Sequence, residues 1–178
     1  MFQLNKKEAR LIILQRIELI SNFLKRVRKF FGRYFFSNFI SKYFLSTKNV
    51  GKVYFEDMHQ EFESINSAIN PHNKNLLSIG GGLGGLELVI NKKFSVKSFT
   101  FIERNYVSKK VKYGWDNKNN EAYNDTSIQK NFLIKNGMES SRFTIFDYDN
   151  DQLPKDKFDI IISLFSLDYH YDFKIYLD

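Results

Sequence analysis

The chain has 178 residues, 43% hydrophobic and 17% aromatic, which suits one buried core and is too apolar for a disordered chain. It lacks cysteine, which excludes a disulfide framework, a thiolate zinc site and a cysteine nucleophile; His59, His72 and His170 are too scattered for metal-ligand spacing. The net charge of +7 is uneven: residues 1–52 carry 12 Lys/Arg against 2 Glu, while the remainder is net −3, so the main body offers no basic surface for nucleic acid.

In chain order, residues 6–31 are predicted as one helix. Leu11, Leu14, Ile17, Ile20, Leu24, Val27 and Phe31 recur at three- and four-residue spacing, with Arg10, Arg16, Lys25, Arg28 and Lys29 largely between them. Gly32 interrupts the pattern, and the aromatic, basic residues 33–45 form a second, short helix. Residues 46–52 read as a linker. A further helix over 53–69 carries Phe55, Met58, Phe62, Ile65 and Ile69 on one face, and Pro71 with the polar HNKN run ends it. The character then changes. Residues 76–79 suit a buried parallel strand, 83–91 a helix and 98–102 a second strand. Residues 105–125 are polar and carry no assignable pattern. A helix over 126–136 stops at Gly137, and strands follow at 143–146 and 158–164. This alternation means an α/β protein with a parallel sheet. The expected division is a basic helical extension, 1–50, and a nucleotide-binding domain, 51–178. No apolar run reaches the roughly 18 residues of a spanning helix, and a cytoplasmic location is expected. The segment 6–45 has three readings: a helical cap on the domain, a peripheral contact with an anionic membrane surface, or a docking element for a partner.

The run LLSIGGGLGG, residues 76–85, joins a strand to a helix. Glycines serve there because the turn needs backbone angles that a β-carbon forbids and because a ligand must approach the main chain closely. The helix that follows presents unpaired N–H groups. Glu103 ends the second strand, 21 residues after Gly82, where an open α/β sheet places a carboxylate to accept from ribose hydroxyls. Two loops fit equally well. Gly80, Gly82 and Gly85 match the dinucleotide G-x-G-x-x-G; Gly80, Gly82 and Gly84 match the G-x-G-x-G of class I methyltransferases.

The segments FTIFDYD (143–149), LP (153–154) and FDIIIS (158–163) resemble the third and fourth motifs of the class I S-adenosylmethionine-dependent methyltransferase superfamily. The resemblance implies a Rossmann-like fold and S-adenosylmethionine as cofactor. It implies that Glu103 holds the ribose, that Asp147 addresses the adenine and that Ser163 to Ser166 face the sulfonium. The family usually has an acid two positions before the first glycine; here Ser78 stands there, which leaves the methionine ammonium without its usual charge partner. The stretches YVSKKVKYGW, EAYN, FLIKNGM and SLDYHYDFKIYLD resemble bacterial methyltransferase-domain proteins, some described as sugar O-methyltransferases, over about residues 72–178. A small-molecule or sugar acceptor is therefore expected.

O-methylation needs a base, and His170, just past the fourth strand, is the candidate; the alternative is a histidine packed among Tyr169 and Tyr171. Trp115 and Tyr113 are candidates to cover the nucleotide or to anchor an irregular loop. The family's sheet has seven strands, whereas four are legible before Asp178. The expectation is a fragment, a truncated product, or a fold completed by a partner, with self-association through an exposed edge of the fourth strand. Competing functions are an NAD-type oxidoreductase and a non-catalytic binding module.

Overall fold

The computed structural model describes residues 1–31, 33–109, 122–164, 166, 167 and 171. Six helices and a four-stranded sheet make up its regular part. Helix α1, Lys6–Gln15, opens with a capping box: the Asn5 side chain accepts from the Glu8 amide, and the Glu8 carboxylate accepts from the Asn5 amide. Leu11, Ile12, Ile13 and Leu14 are all buried, so the last full turn of α1 is enclosed on every side. It lies between two clusters. Leu11, Ile12 and Leu14 join the main core, and Ile13 joins Ile20, Phe36 and Ile40.

The single helix expected over 6–31 is two. The chain leaves the helix at Arg16 (φ −126°, ψ 76°), passes through a 3₁₀ turn, Ile17–Leu19, and restarts as α2, Asn22–Phe31. Apolar spacing runs on through this break because Leu11 and Leu14 serve the main core while Ile20 and Leu24 serve the second cluster, which Ile13 shares. The local cause is polar. Arg16 turns out to meet Asp57 at 2.8 Å, and the Ser21 carbonyl and hydroxyl receive the first amides of α2. Helix α3 spans Arg33–Tyr43.

The expected linker 46–52 is also helical. Ser46 caps α4, Thr47–Ile65, by accepting from the Asn49 amide at 3.3 Å. Gly51 lies within α4 because Phe2 passes against it: the Phe2 amide donates to the Gly51 carbonyl at 3.2 Å, and a β-carbon at 51 would collide with the Phe2 carbonyl oxygen. A glycine that reads as linker composition thus serves a close crossing of backbones.

Strands β1 (Asn75–Ile79), β2 (Ser98–Glu103), β3 (Phe143–Asp147) and β4 (Ile160–Ile162) pair in parallel in the order β3-β2-β1-β4. Helix α5, Gly85–Lys93, connects β1 to β2, and α6, Thr126–Lys135, precedes β3. The fourth strand is shorter than the expected 158–164. Its lower end is fixed by Asp159, whose carboxylate accepts from the Asn75 amide at 2.8 Å. Its upper end stops where the Ser163 hydroxyl, rather than a backbone amide, donates to the Ile79 carbonyl. The architecture is the expected one: a Rossmann-like parallel α/β sheet with helices N-terminal to it. The main core joins sheet residues such as Leu76, Phe99 and Phe101 to Phe2, Leu11, Tyr54, Met58 and Phe62, so apolar contact continues across residue 50. Among the described residues no helix is long and apolar enough to cross a membrane.

In this strand order the chain steps from β1 outward to β3 and then returns to the other side of β1. The crevice above the C-terminal ends of β1 and β4 is therefore the switch point, where open α/β sheets receive ligands.

Candidate functional site

The glycine turn follows β1 at that switch point. Gly80 and Gly82 take φ of +64° and +66°, the left-handed region that L side chains rarely occupy. Both are also crowded. A β-carbon on Gly80 would meet the Ser166 side chain and the Tyr171 ring, and one on Gly82 would lie 2.6 Å from Gln15 Oε1. The segment after β4 closes on the turn through Ser166, whose hydroxyl donates to the Gly80 carbonyl at 2.8 Å.

A cavity of about 460 Å³ opens beside this turn, lined by Gly80, Gly81, Gly82, Glu87, Glu103 and Arg104 on the sheet side and by Gln15, Arg16, Tyr54, Asp57 and Met58 on the helical side. Its volume lies within the range of small-molecule and cofactor sites. Glu103, at the end of β2, is 2% exposed. Its Oε2 accepts from the Asn124 amide group at 3.2 Å. Among the described residues no donor reaches Oε1 with hydrogen-bond geometry, although the Gly82 and Gly81 amides lie near enough to the carboxylate to favour its charged form. Burial holds the Glu103 carboxyl well above the ordinary carboxylate range, and the neighbouring Glu87 charge adds to this.

Glu87, in the first turn of α5, is 1% exposed and lines the same cavity. Its Oε1 accepts from the Ser78 hydroxyl at 2.6 Å, while Oε2 has no hydrogen-bond partner among the described residues. Burial raises its pKa as well. The cavity wall carries five acidic residues, Glu18, Asp57, Glu61, Glu87 and Glu103, against Arg16 and Arg104. Both arginines have partners: Arg16 the Asp57 carboxylate, and Arg104 the Tyr106 hydroxyl at 3.2 Å and Asp149 at 3.7 Å. Glu87 and Glu103 are the most deeply buried of the five acids, and that burial favours their neutral form until a cation reaches them.

Of the residues expected from the sequence, the structure brings Gly80, Gly82 and Glu103 to the cavity wall, with Ser78 behind it through Glu87. Gly84 caps α5 and packs toward Leu133 and Phe101. Asp147 lies beside Glu103 in register, but its carboxylate accepts from the Asp149 amide and the Asn150 side chain and so ties its own turn. Ser163 donates to the Ile79 carbonyl and accepts from the Leu167 amide, which braces the segment after β4. His170, Tyr169, Tyr113 and Trp115 lie outside the described residues. Tyr171 is described: its hydroxyl accepts from the Arg104 amide at 3.0 Å, and its ring meets Tyr148 edge-on at 5.0 Å.

Reasoning from the sequence missed Glu87, Asn124 and the helical wall. A signal for Glu87 was present, a lone acid inside the apolar run LELVI. None existed for Gln15 or Asn124, which reach the site from positions remote in sequence. Among the described residues, no group of three His, Cys, Asp or Glu is placed to hold a metal ion. Comparison of the chain with protein-family models, curated proteins and solved structures gives no match.

Proposed function

We propose that this chain binds S-adenosylmethionine in the cavity beside the glycine turn and directs its methyl group to an oxygen of a small-molecule or sugar acceptor. The observation that carries the reading is the pairing of Glu103 with the turn. A buried carboxylate, one oxygen of which has no hydrogen-bond partner among the described residues, ends β2 and lines a cavity shared with the left-handed glycine backbone. That oxygen suits the hydroxyls of a ribose lying over Gly80 to Gly82. The acidic wall favours this ligand over a nicotinamide dinucleotide. A pyrophosphate at the start of α5 would meet the Glu87 carboxylate, whereas a ligand with a sulfonium and an ammonium would meet it favourably. The resemblance of the segments 143–149 and 158–163 points the same way.

Bound there, the cofactor would supply a methyl group on a positively charged sulfur. Glu103 would hold the ribose, and the turn would let the nucleoside approach the backbone. The acceptor hydroxyl must lose a proton as its oxygen forms the new C–O bond, and His170 is the base expected from the sequence. Isothermal titration with S-adenosylhomocysteine and with NAD tests the reading. Binding of the homocysteine nucleoside alone is expected; binding of NAD alone would replace a methyltransferase with an oxidoreductase.

A further inference from the structure

We infer that Glu87 supplies the negative charge that holds the ligand's cationic amino-acid end, standing in from α5 for the carboxylate that β1 lacks at Ser78. The inference rests on the proposed nucleoside site and assigns a residue to it. Three observations meet at Glu87. Its side chain is buried and lines the cavity, with Oε2 carrying no hydrogen bond among the described residues. Oε1 is pinned by the Ser78 hydroxyl at 2.6 Å, so the strand residue now orients the carboxylate instead of providing it. Gly81 leaves the pair its room: a β-carbon there would press on Ser78 Oγ and lie 3.0 Å from Glu87 Oε1.

A carboxylate so placed is costly unless a cation or several donors reach it. The nearest cation on the wall, Arg16, is engaged by Asp57 at 2.8 Å. The charge left open on Oε2 therefore selects a ligand that brings its own, such as a primary ammonium. A phosphate would be repelled at the same position.

The test compares two thionucleosides on the full chain. S-adenosylhomocysteine carries the amino-acid ammonium, and 5′-methylthioadenosine has the same nucleoside without it. The wild type is expected to bind the first at least about tenfold more tightly, a difference of about 1.4 kcal/mol. E87Q keeps the side-chain size and the Ser78 contact. It is expected to lose that margin while binding methylthioadenosine within about twofold of wild type, since roughly 0.4 kcal/mol separates the two. Equal loss for both ligands would make Glu87 a structural residue and overturn the inference, as would an E87Q that keeps the full margin. A wild type that binds both ligands equally overturns it without reference to any variant. A wild type that binds neither overturns the nucleoside site as well.

A second inference rests on a different surface. We propose that the outer face of α3 lies on an anionic lipid bilayer. Helix α3 is apolar on both sides: Phe36 and Ile40 are buried, while Phe35, Phe39 and Tyr43, spaced four residues apart, are each more than half exposed. Phe39 touches Tyr43 and Phe44, with ring centroids 5.3 and 5.7 Å apart, so these three exposed rings form one patch. Between Glu18 and Glu56 the sequence has no acid and eight Lys/Arg. Aromatic rings at the acyl boundary with cations at the headgroups fit an anionic membrane surface. In co-sedimentation, the chain is expected to pellet with vesicles of phosphatidylcholine and phosphatidylglycerol and not with phosphatidylcholine alone. F35S/F39S, which changes only exposed rings, should stay in the supernatant. Equal pelleting with neutral vesicles, pelleting of the double variant, or association of two copies through this face without vesicle binding would overturn the proposal.

Discussion

Glu103 and Glu87 share one cavity and one physical predicament, a buried carboxyl with an oxygen that no described residue satisfies. Both hold their proton above the ordinary value of 4.5, chiefly because burial penalises the charged form. The ligand-free folded chain therefore binds more protons here than the unfolded chain does. Its stability is highest on the acid side and falls as pH rises through the raised values. Around Glu87 stand Ser78, Arg16, Tyr54 and Glu103, of which Ser78, through its hydrogen bond, and Arg16 oppose the trend without cancelling it. Glu63 and Asp159 are shifted the other way, by Lys93 and by the Asn75 amide, and so titrate below this window. The melting temperature of the ligand-free protein is accordingly expected to drop as pH rises above the ordinary value of 4.5 and through the raised values of these two carboxyls. A flat or rising profile would mean that these carboxyls ionise freely in the fold. Ligand binding reverses the sign: a cation favours the ionised form, so calorimetry in buffers of different ionisation enthalpy should find protons released. For the ribose contact, E103A is expected to weaken S-adenosylhomocysteine by about 1.5–3 kcal/mol, the worth of a hydrogen bond to a charged group. E103Q should cost less, because its amide oxygen still accepts. Equal losses for a 2′,3′-dideoxy analogue would assign the effect to stability instead.

The segment from β1 through the glycine turn and α5 to the end of β2 was legible at the level of elements. Three local signals agree there: an apolar run, glycines and a terminal acid at Glu103. The helical breaks were not legible, because their causes are remote in sequence. Arg16 leaves α1 for Asp57, 41 positions away, and Gly51 belongs to a helix because Phe2 crosses it. The cavity's second wall was hidden for the same reason. Gln15 donates to the Tyr123 carbonyl at 2.9 Å, and Asn124 donates to Glu103, so a segment without periodicity carries part of the site. The turn and the end of α1 are in effect one steric unit. Gly82→Ala would force a side chain into a left-handed position, at about 1–2 kcal/mol, and would push on Gln15 besides. Adding Q15A should relieve the collision and leave the backbone term. Urea melts of G82A and of G82A/Q15A would separate the two, and equal stability of both would show that Gln15 simply moves aside.

At the scale of the molecule, a buried ion pair adds to the apolar contacts that hold α1 against the sheet side. The Glu8 side chain is fully buried, and the Lys135 ammonium at the end of α6 reaches both of its oxygens, at 2.6 and 2.8 Å. Removing one partner of such a pair leaves a buried charge, so K135M is expected to cost about 3 kcal/mol, with E8Q/K135M recovering part of it. Chemical denaturation of the three proteins measures this; a K135M as stable as wild type would mean that water replaces the ammonium. The same helix delivers Gln15 and Arg16 to the cavity wall. Peeling α1 away therefore dismantles the site, and filling the site must hold α1 down, by thermodynamic reciprocity. Ligand at a hundredfold excess over its dissociation constant adds about 2.7 kcal/mol to any opening that destroys the site. The amides of Ile12 to Arg16 should then exchange with deuterium up to about a hundredfold more slowly. The first helix of the chain thus serves as a gauge of occupancy: the state of a pocket built on the sheet can be read from the backbone near the N-terminus.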